Sequence, residues 1–101
     1  MVVYKATNKI NGLVYIGCTT KTLEERKRCH LHGSDDFIFQ RALRKYGDIN
    51  FTWEILYLCN NVEELGNKER YYINEYHSYD RKYGYNLTFG GILNGGHIDE
   101  V

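Results

Sequence analysis

Apolar residues cluster and recur along the chain in patterns that mark six elements. Val2-Val3-Tyr4-Lys5-Ala6 is a β-prone run and Leu13-Val14-Tyr15-Ile16 a second, joined by the Asn- and Gly-containing stretch Asn8 to Gly12. Two such runs around a turn predict a hairpin, with Gly17 and Cys18 ending its second strand. Thr22 with Glu25 three residues on makes a capping box, so a helix is expected from Leu23 to about His32, closed by Gly33. Ser34, Asp35 and Asp36 are expected to open another, because a hydroxyl caps free N–H groups and carboxylates favour the positive end of a helix dipole. Ile38, Phe39, Ala42, Leu43 and Tyr46 then recur at helical spacing until Gly47. Phe51, Trp53, Ile55 and Tyr57 alternate with Thr52, Glu54, Leu56 and Leu58, the period of a strand with one face well buried. Asn61 with Glu64 resembles a capping box at the head of a third helix, from about Val62 to Tyr76. Gly84 to Gly96 is rich in Gly and Asn and reads as turns, with a short extended piece at Asn86 to Phe89.

The order strand, strand, helix, helix, strand, helix predicts an α+β fold, a small three-stranded antiparallel sheet flanked by helices. At 101 residues there is room for one core, so one domain is expected over 1–96, with 97–101 as a tail or the start of a linker. Hydrophobic residues at 43% and charged residues at 26% exclude wholesale disorder and coiled-coil or collagen-like architectures. Thirteen basic and thirteen acidic residues leave no net charge to name a partner, but their distribution is uneven. Nine of the basic and four of the acidic residues fall at or before Lys45, an excess of five positive charges that the rest of the chain reverses. Cys18, Cys29 and Cys59 form no CxxC pair, so neither a disulfide framework nor a zinc ribbon is expected. No apolar run is long enough to span a bilayer, and free thiols suit a reducing compartment, so the expected location is intracellular: cytoplasmic, or nuclear in a eukaryotic or viral host.

Several residues sit where packing alone would not put them. In the last helix Val62, Leu65, Glu69, Ile73 and Tyr76 share one face, which places a carboxylate inside an apolar stripe. Such a carboxylate either pairs with a buried Arg or Lys or serves a metal or catalytic site. Arg26 and His30 are four apart and share a face of the first helix. A guanidinium fork matches phosphate oxygens and an imidazole can donate a hydrogen bond or a proton, although a plain solvated face with Glu24 paired to Arg28 fits the same spacing. Tyr4 and Tyr15 belong to the two hairpin strands, on one side of them, facing each other or diagonal. Cys29, His30 and His32 match no common zinc spacing.

Val2-Val3-Tyr4, Val14-Tyr15-Ile16-Gly17, a capped helix with Arg26 and His30, Lys68-Glu69-Arg70-Tyr71-Tyr72-Ile73, and Gly84-Tyr85-Asn86 with Gly90-Gly91 follow one another in the chain. Together, over nearly its whole length, they resemble the GIY-YIG endonuclease family. Val3-Tyr4 stands where the family has Ile-Tyr, and the departure that matters is Val2, where Gly is usual; the change touches backbone approach more than chemistry, so activity is expected to survive it. The resemblance implies a module that hydrolyses phosphodiester bonds of double-stranded DNA with one Mg²⁺ (or Mn²⁺) held by Glu69. It further implies that Arg26 stabilises charge on the scissile phosphate and that Tyr4 lies near the attacking water as candidate general base with Tyr15 assisting. His30 would aid proton relay or phosphate contact, and Asn86 would hold the site together. A homing-type catalytic domain from a phage, virus or mobile intron is the expected context, its recognition domain absent from this chain and its oligomeric state monomer or transient dimer. The alternatives are a structure-specific repair-type nuclease and an idle DNA-binding or interaction module of the same fold.

Overall fold

A computed structural model describes residues 1–32 and 37–87 of the chain. Its elements are β1 (Val2–Asn8), β2 (Val14–Thr19), α1 (Leu23–His32), α2 (Ile38–Tyr46), a 3₁₀ turn over Asp48–Asn50, β3 (Phe51–Leu58) and α3 (Val62–Tyr76). The sheet is antiparallel in the order β2-β1-β3, so the first strand is central.

Alternation along β1 and β2 divides the core between the two faces of the sheet. Val2, Tyr4 and Ala6 with Tyr15 pack against Phe39, Ala42 and Leu43 of α2, while Val3, Ile16 and Cys18 pack against Leu65 and Ile73 of α3. Val2, in the position of the family glycine, is buried in the first cluster. The hairpin register sets Tyr4 opposite Gly17 and Ala6 opposite Tyr15, so the two tyrosines are diagonal neighbours on one face.

Four expectations change. Gly17 and Cys18 do not end β2, which runs on to Thr19 because β1 supplies partners as far as Val2. Ser34 to Asp36 lie outside the described residues, as does Gly33, but the second helix begins only at Ile38. Phe37 before it is extended (φ −73°, ψ 158°) and its side chain caps nothing. The face of β3 is less buried than its alternation predicts. A register shift between Val3 and Tyr4 sets Tyr4 opposite Ile55 and Val3 opposite Tyr57, and the extra residue breaks the period of two. Leu56 and Tyr57 both pack on the α3 side, while Ile55 is 48% exposed on the edge strand. Finally, the extended contact after α3 comes earlier than expected, at Tyr83–Asn86, where Val14 bridges Gly84 in parallel; residues 88–101 lie outside the described region.

Thr22 and Glu25 form a reciprocal capping box, whereas at the head of α3 Asn61 caps Glu64 N–H and the Glu64 side chain reaches back to Asn60 N–H instead (2.7 Å). Glu25 N–H donates to Thr22 Oγ1 (3.2 Å) and Thr22 N–H to Glu25 Oε1 (3.1 Å), and Glu64 N–H donates to Asn61 Oδ1 (2.8 Å).

Candidate active site

The inner face of α1 is built from Leu23, Arg26, Lys27 and His30, spaced as one side of a helix, and only the first is apolar. A helix laid on a sheet through an arginine and a histidine is an unusual use of buried area and marks this side as chemical.

His30 is buried against four aromatic rings, with centroids at 6.1 Å (Tyr4), 5.5 Å (Tyr15), 5.0 Å (Phe39) and 5.9 Å (Trp53). Its Nε2 lies 2.8 Å from the Tyr4 hydroxyl and its Nδ1 3.1 Å from Gln40 Oε1. The Gln40 amide nitrogen donates to the His30 carbonyl (3.1 Å), which ties α2 to α1. Tyr4 is fully buried, 6.3 Å between centroids from Tyr15, which itself stacks flat on Phe39 at 4.1 Å.

This packing needs Gly17. A Cβ there would stand 2.4 Å from both Cζ and Oη of Tyr4 and 2.9 Å from Cε2 of Tyr15, so only a bare backbone lets the Tyr4 ring lie across β2. Burial pushes both phenols well above their ordinary range. The neighbouring Tyr15 adds to the rise at Tyr4 and the Glu69 carboxylate adds to it at Tyr15, while the Arg26 guanidinium, charged and hydrogen-bonding to both, opposes it. At neutral pH both are therefore O–H groups, and either can accept a proton only while surrendering its own.

Glu69 is fully buried in the stripe Leu65, Glu69, Ile73 of α3. Its effect on Tyr15 places its charge beside that phenol. The residue keeps other interactions, while its Oε2 is buried and accepts no hydrogen bond. Asn86 stands behind the site. Its Oδ1 accepts from Ile16 N–H (2.9 Å) and its Nδ2 donates to Ile16 C=O (2.8 Å), so one side chain closes the edge of β2 next to Tyr15. Arg81 holds the Asn86 carbonyl, and Gly84 lets this segment approach, since a Cβ would meet Ser78 and the Val14 carbonyl oxygen at 2.5 Å.

The structure thus gathers Tyr4, Tyr15, Arg26 and His30 in one cluster, sets Glu69 at its border and uses Asn86 to seal the adjacent strand. Gln40 and Trp53 complete the surroundings of His30 and are not singled out by sequence reasoning. Gln40 left a signal, a polar residue three before Leu43 on the stripe that packs on the sheet. Trp53 reads as an ordinary strand aromatic.

Residues 1–85 match the model of the GIY-YIG catalytic domain. The chain is 36% identical over 89 residues to the candidate endonuclease segD of Enterobacteria phage T4, covering 88% of this chain and 38% of that protein. It is 33% identical over 97 residues to segB of the same phage, covering 95% and 41%. The chain therefore spans about two fifths of the length of these relatives. Among solved structures, the catalytic domain of intron endonuclease I-TevI in a point-mutant form superposes with a TM-score of 0.74 at 26% identity, covering 89% of this chain and 95% of that one. A second structure of that domain gives 0.69 at 26% identity, covering 86% and 97%.

Proposed function

The chain belongs to the GIY-YIG family, and from that membership we propose that it is the catalytic module of a metal-dependent endonuclease that hydrolyses phosphodiester bonds of double-stranded DNA. The observation that carries the reading is the convergence of Tyr4, Tyr15, Arg26 and His30 on one sheet face beside the buried Glu69. Each of these polar groups is of a type that phosphodiester hydrolysis can use for charge stabilisation or proton transfer.

Arg26 supplies the positive charge. Its guanidinium already lies between the two phenols, a setting from which it binds a phosphate oxygen and stabilises the charge that builds up there in the transition state. Tyr4 handles the proton of the attacking water, because its hydroxyl is directed at an imidazole nitrogen able to receive the phenolic proton in turn. Tyr15 orients that water and fills the space between Tyr4 and Glu69.

Glu69 is the residue that would hold a divalent cation. Among the described residues no three His, Cys, Asp or Glu side chains gather into a protein-only metal cage, and a cation held by Glu69 would complete its shell from water and phosphate oxygens. That donor set suits Mg²⁺ or Mn²⁺, which prefer oxygen and retain water, and does not suit zinc. When bound, such an ion neutralises charge on the phosphate and on the departing oxygen. One carboxylate site per chain favours one strand cut per encounter, by a monomer or by two chains meeting transiently on DNA.

The names of the relatives favour a phage homing-type context, in which a recognition segment outside this chain would supply most DNA affinity. With formal charge zero, the module alone is expected to hold DNA weakly. No helix among the described residues is long and apolar enough to cross a membrane, and acting on DNA agrees with the intracellular location expected. The test is supercoiled plasmid incubated with the chain, with and without Mg²⁺ or Mn²⁺, beside Glu69→Ala. Metal-dependent nicking that vanishes in the variant supports the assignment. Absence of nicking by a folded wild-type chain, persisting after fusion to a DNA-binding domain, would leave an idle module.

A further inference from the structure

We propose that Gln40 is a positioning residue that holds His30 in the one neutral tautomer able to take a proton from Tyr4. The argument begins at a backbone carbonyl. The oxygen of His30 can only accept, so the end of the Gln40 amide that meets it at 3.1 Å is the NH₂ group. That fixes the amide's orientation and turns its oxygen, which can also only accept, toward His30 Nδ1 at 3.1 Å. Nδ1 must then carry a hydrogen. In the neutral imidazole Nε2 is left with its lone pair, and the contact of 2.8 Å to Tyr4 has the phenol as donor. A chain of direction therefore runs from a main-chain carbonyl on α1, through an amide on α2, to a hydroxyl on β1.

The geometry leaves little freedom for any other arrangement. Gln40 is 5% exposed and His30 8%, so water has poor access to replace either bond. Phe39, next to Gln40, stands edge-on to the imidazole, and Tyr15 and Trp53 complete its surroundings.

The inference rests on the hydrolytic reading above and adds a residue to it. As the water oxygen bonds to phosphorus, one water proton passes to Tyr4 Oη and the phenolic proton passes to His30 Nε2. The bond from phosphorus to the leaving sugar oxygen breaks, and that oxygen takes a proton from solvent. His30 ends as imidazolium, its Nδ1–H still donating to Gln40, and returns its extra proton to solvent before the next cycle. With the other tautomer Nε2 carries hydrogen and the phenolic proton has nowhere to go.

The test joins a spectroscopic and a kinetic measurement on the 101-residue chain. Two-bond proton–nitrogen NMR correlations of the metal-free protein, with no DNA present, report which ring nitrogen of His30 is protonated. Wild type should show Nδ1–H. Gln40→Met should lose that preference and nick supercoiled plasmid in Mg²⁺ about 10- to 100-fold more slowly, the usual cost of losing a group that orients a functional imidazole. Gln40→Glu keeps an acceptor oxygen at Nδ1 and should retain the tautomer and more of the rate than Gln40→Met. In a His30→Ala background, Gln40→Met should change the rate by less than about twofold, because the two act as one unit. An Nε2–H tautomer in wild type overturns the proposal, and so does an equal loss from Gln40→Met with and without His30. The NMR result stands even where Gln40→Met fails to fold. A wild-type chain that shows the expected tautomer and cuts no DNA even when fused to a DNA-binding domain refutes the hydrolytic reading instead.

Discussion

Replacing Gly17 by alanine adds a single methyl group at the point where the Tyr4 ring crosses β2. Its Cβ would fall 2.4 Å from Cζ and Oη of that ring, and ordinary contact begins at 3.4 Å, so the ring must retreat by the difference, 1.0 Å. Tyr4 cannot swing aside freely. It is fully buried, with Tyr15, His30 and Trp53 at centroid distances of 6.3, 6.1 and 6.2 Å. Overpacking of this kind costs about 1–3 kcal/mol. At roughly 4–8 °C per kcal/mol for a domain of this size, melting should drop by at least ~4 °C. The functional loss is expected to be larger. A retreat of this size along the bond stretches the Tyr4–His30 contact from 2.8 Å to as much as about 3.8 Å, past hydrogen-bonding range. Misplacing a reacting group by about 1 Å costs on the order of 100-fold in rate, or ~2.7 kcal/mol of barrier. The assay pairs thermal unfolding by circular dichroism with initial rates of Mg²⁺-dependent nicking, well below both melting temperatures. An alanine variant that melts with wild type and cuts within threefold of its rate would show that Tyr4 does not lie over Gly17, and the assignment of Tyr4 would fall with it.

Other perturbations address the remaining parts. Asn86→Ala leaves Ile16 N–H and C=O at a strand edge without their present partners, so denaturant unfolding should show a loss of about 2–5 kcal/mol; a change below ~1 kcal/mol would mean that water or another group takes over. Arg26→Ala should lower the nicking rate by about 100-fold or more while costing about 1–3 kcal/mol of stability through its lost hydrogen bonds to Tyr4 and Tyr15, and a variant that cuts like wild type would remove Arg26 from the chemistry. Stability should fall in alkali. The folded pKa values of Tyr4 and Tyr15 are raised above the unfolded value of 10.0, so their contribution is fully present below pH 10 and is lost as pH climbs from there through the folded pKa values, by about 1.4 kcal/mol per pH unit for each phenol. Urea melts between pH 9 and 12 should record that slope for wild type and a shallower one for Tyr15→Phe, and a flat profile would contradict it.

Reading the chain succeeded where local rules govern. The caps at Thr22 and Asn61 are short-range hydrogen bonds between residues three apart, and both helices start where those bonds put them. Glu69 stood out because a helix of known period shows its inner face in the sequence. Local rules failed at β3, where one extra residue between the pairs Val3–Tyr57 and Tyr4–Ile55 broke a sound alternation, and at the head of α2, where Phe37 is extended and the helix begins only at Ile38. Gly17 passed for a strand terminator because its reason is a ring on another strand.

The sequence by itself determined the element order, the α+β class, the inward side of the last two helices and the residue types able to do phosphodiester chemistry. These follow from periodicity, capping and functional-group chemistry, which act over a few residues or reside in single side chains. Only the tertiary structure decided which groups meet. Tyr4 and His30 are 26 positions apart, and Ile16 and Asn86 are 70 apart. The bond from Gln40 to His30 depends on how α2 is laid beside α1. Such contacts depend on strand register and helix placement, which are set by packing across the whole core, and no local pattern of residues encodes them.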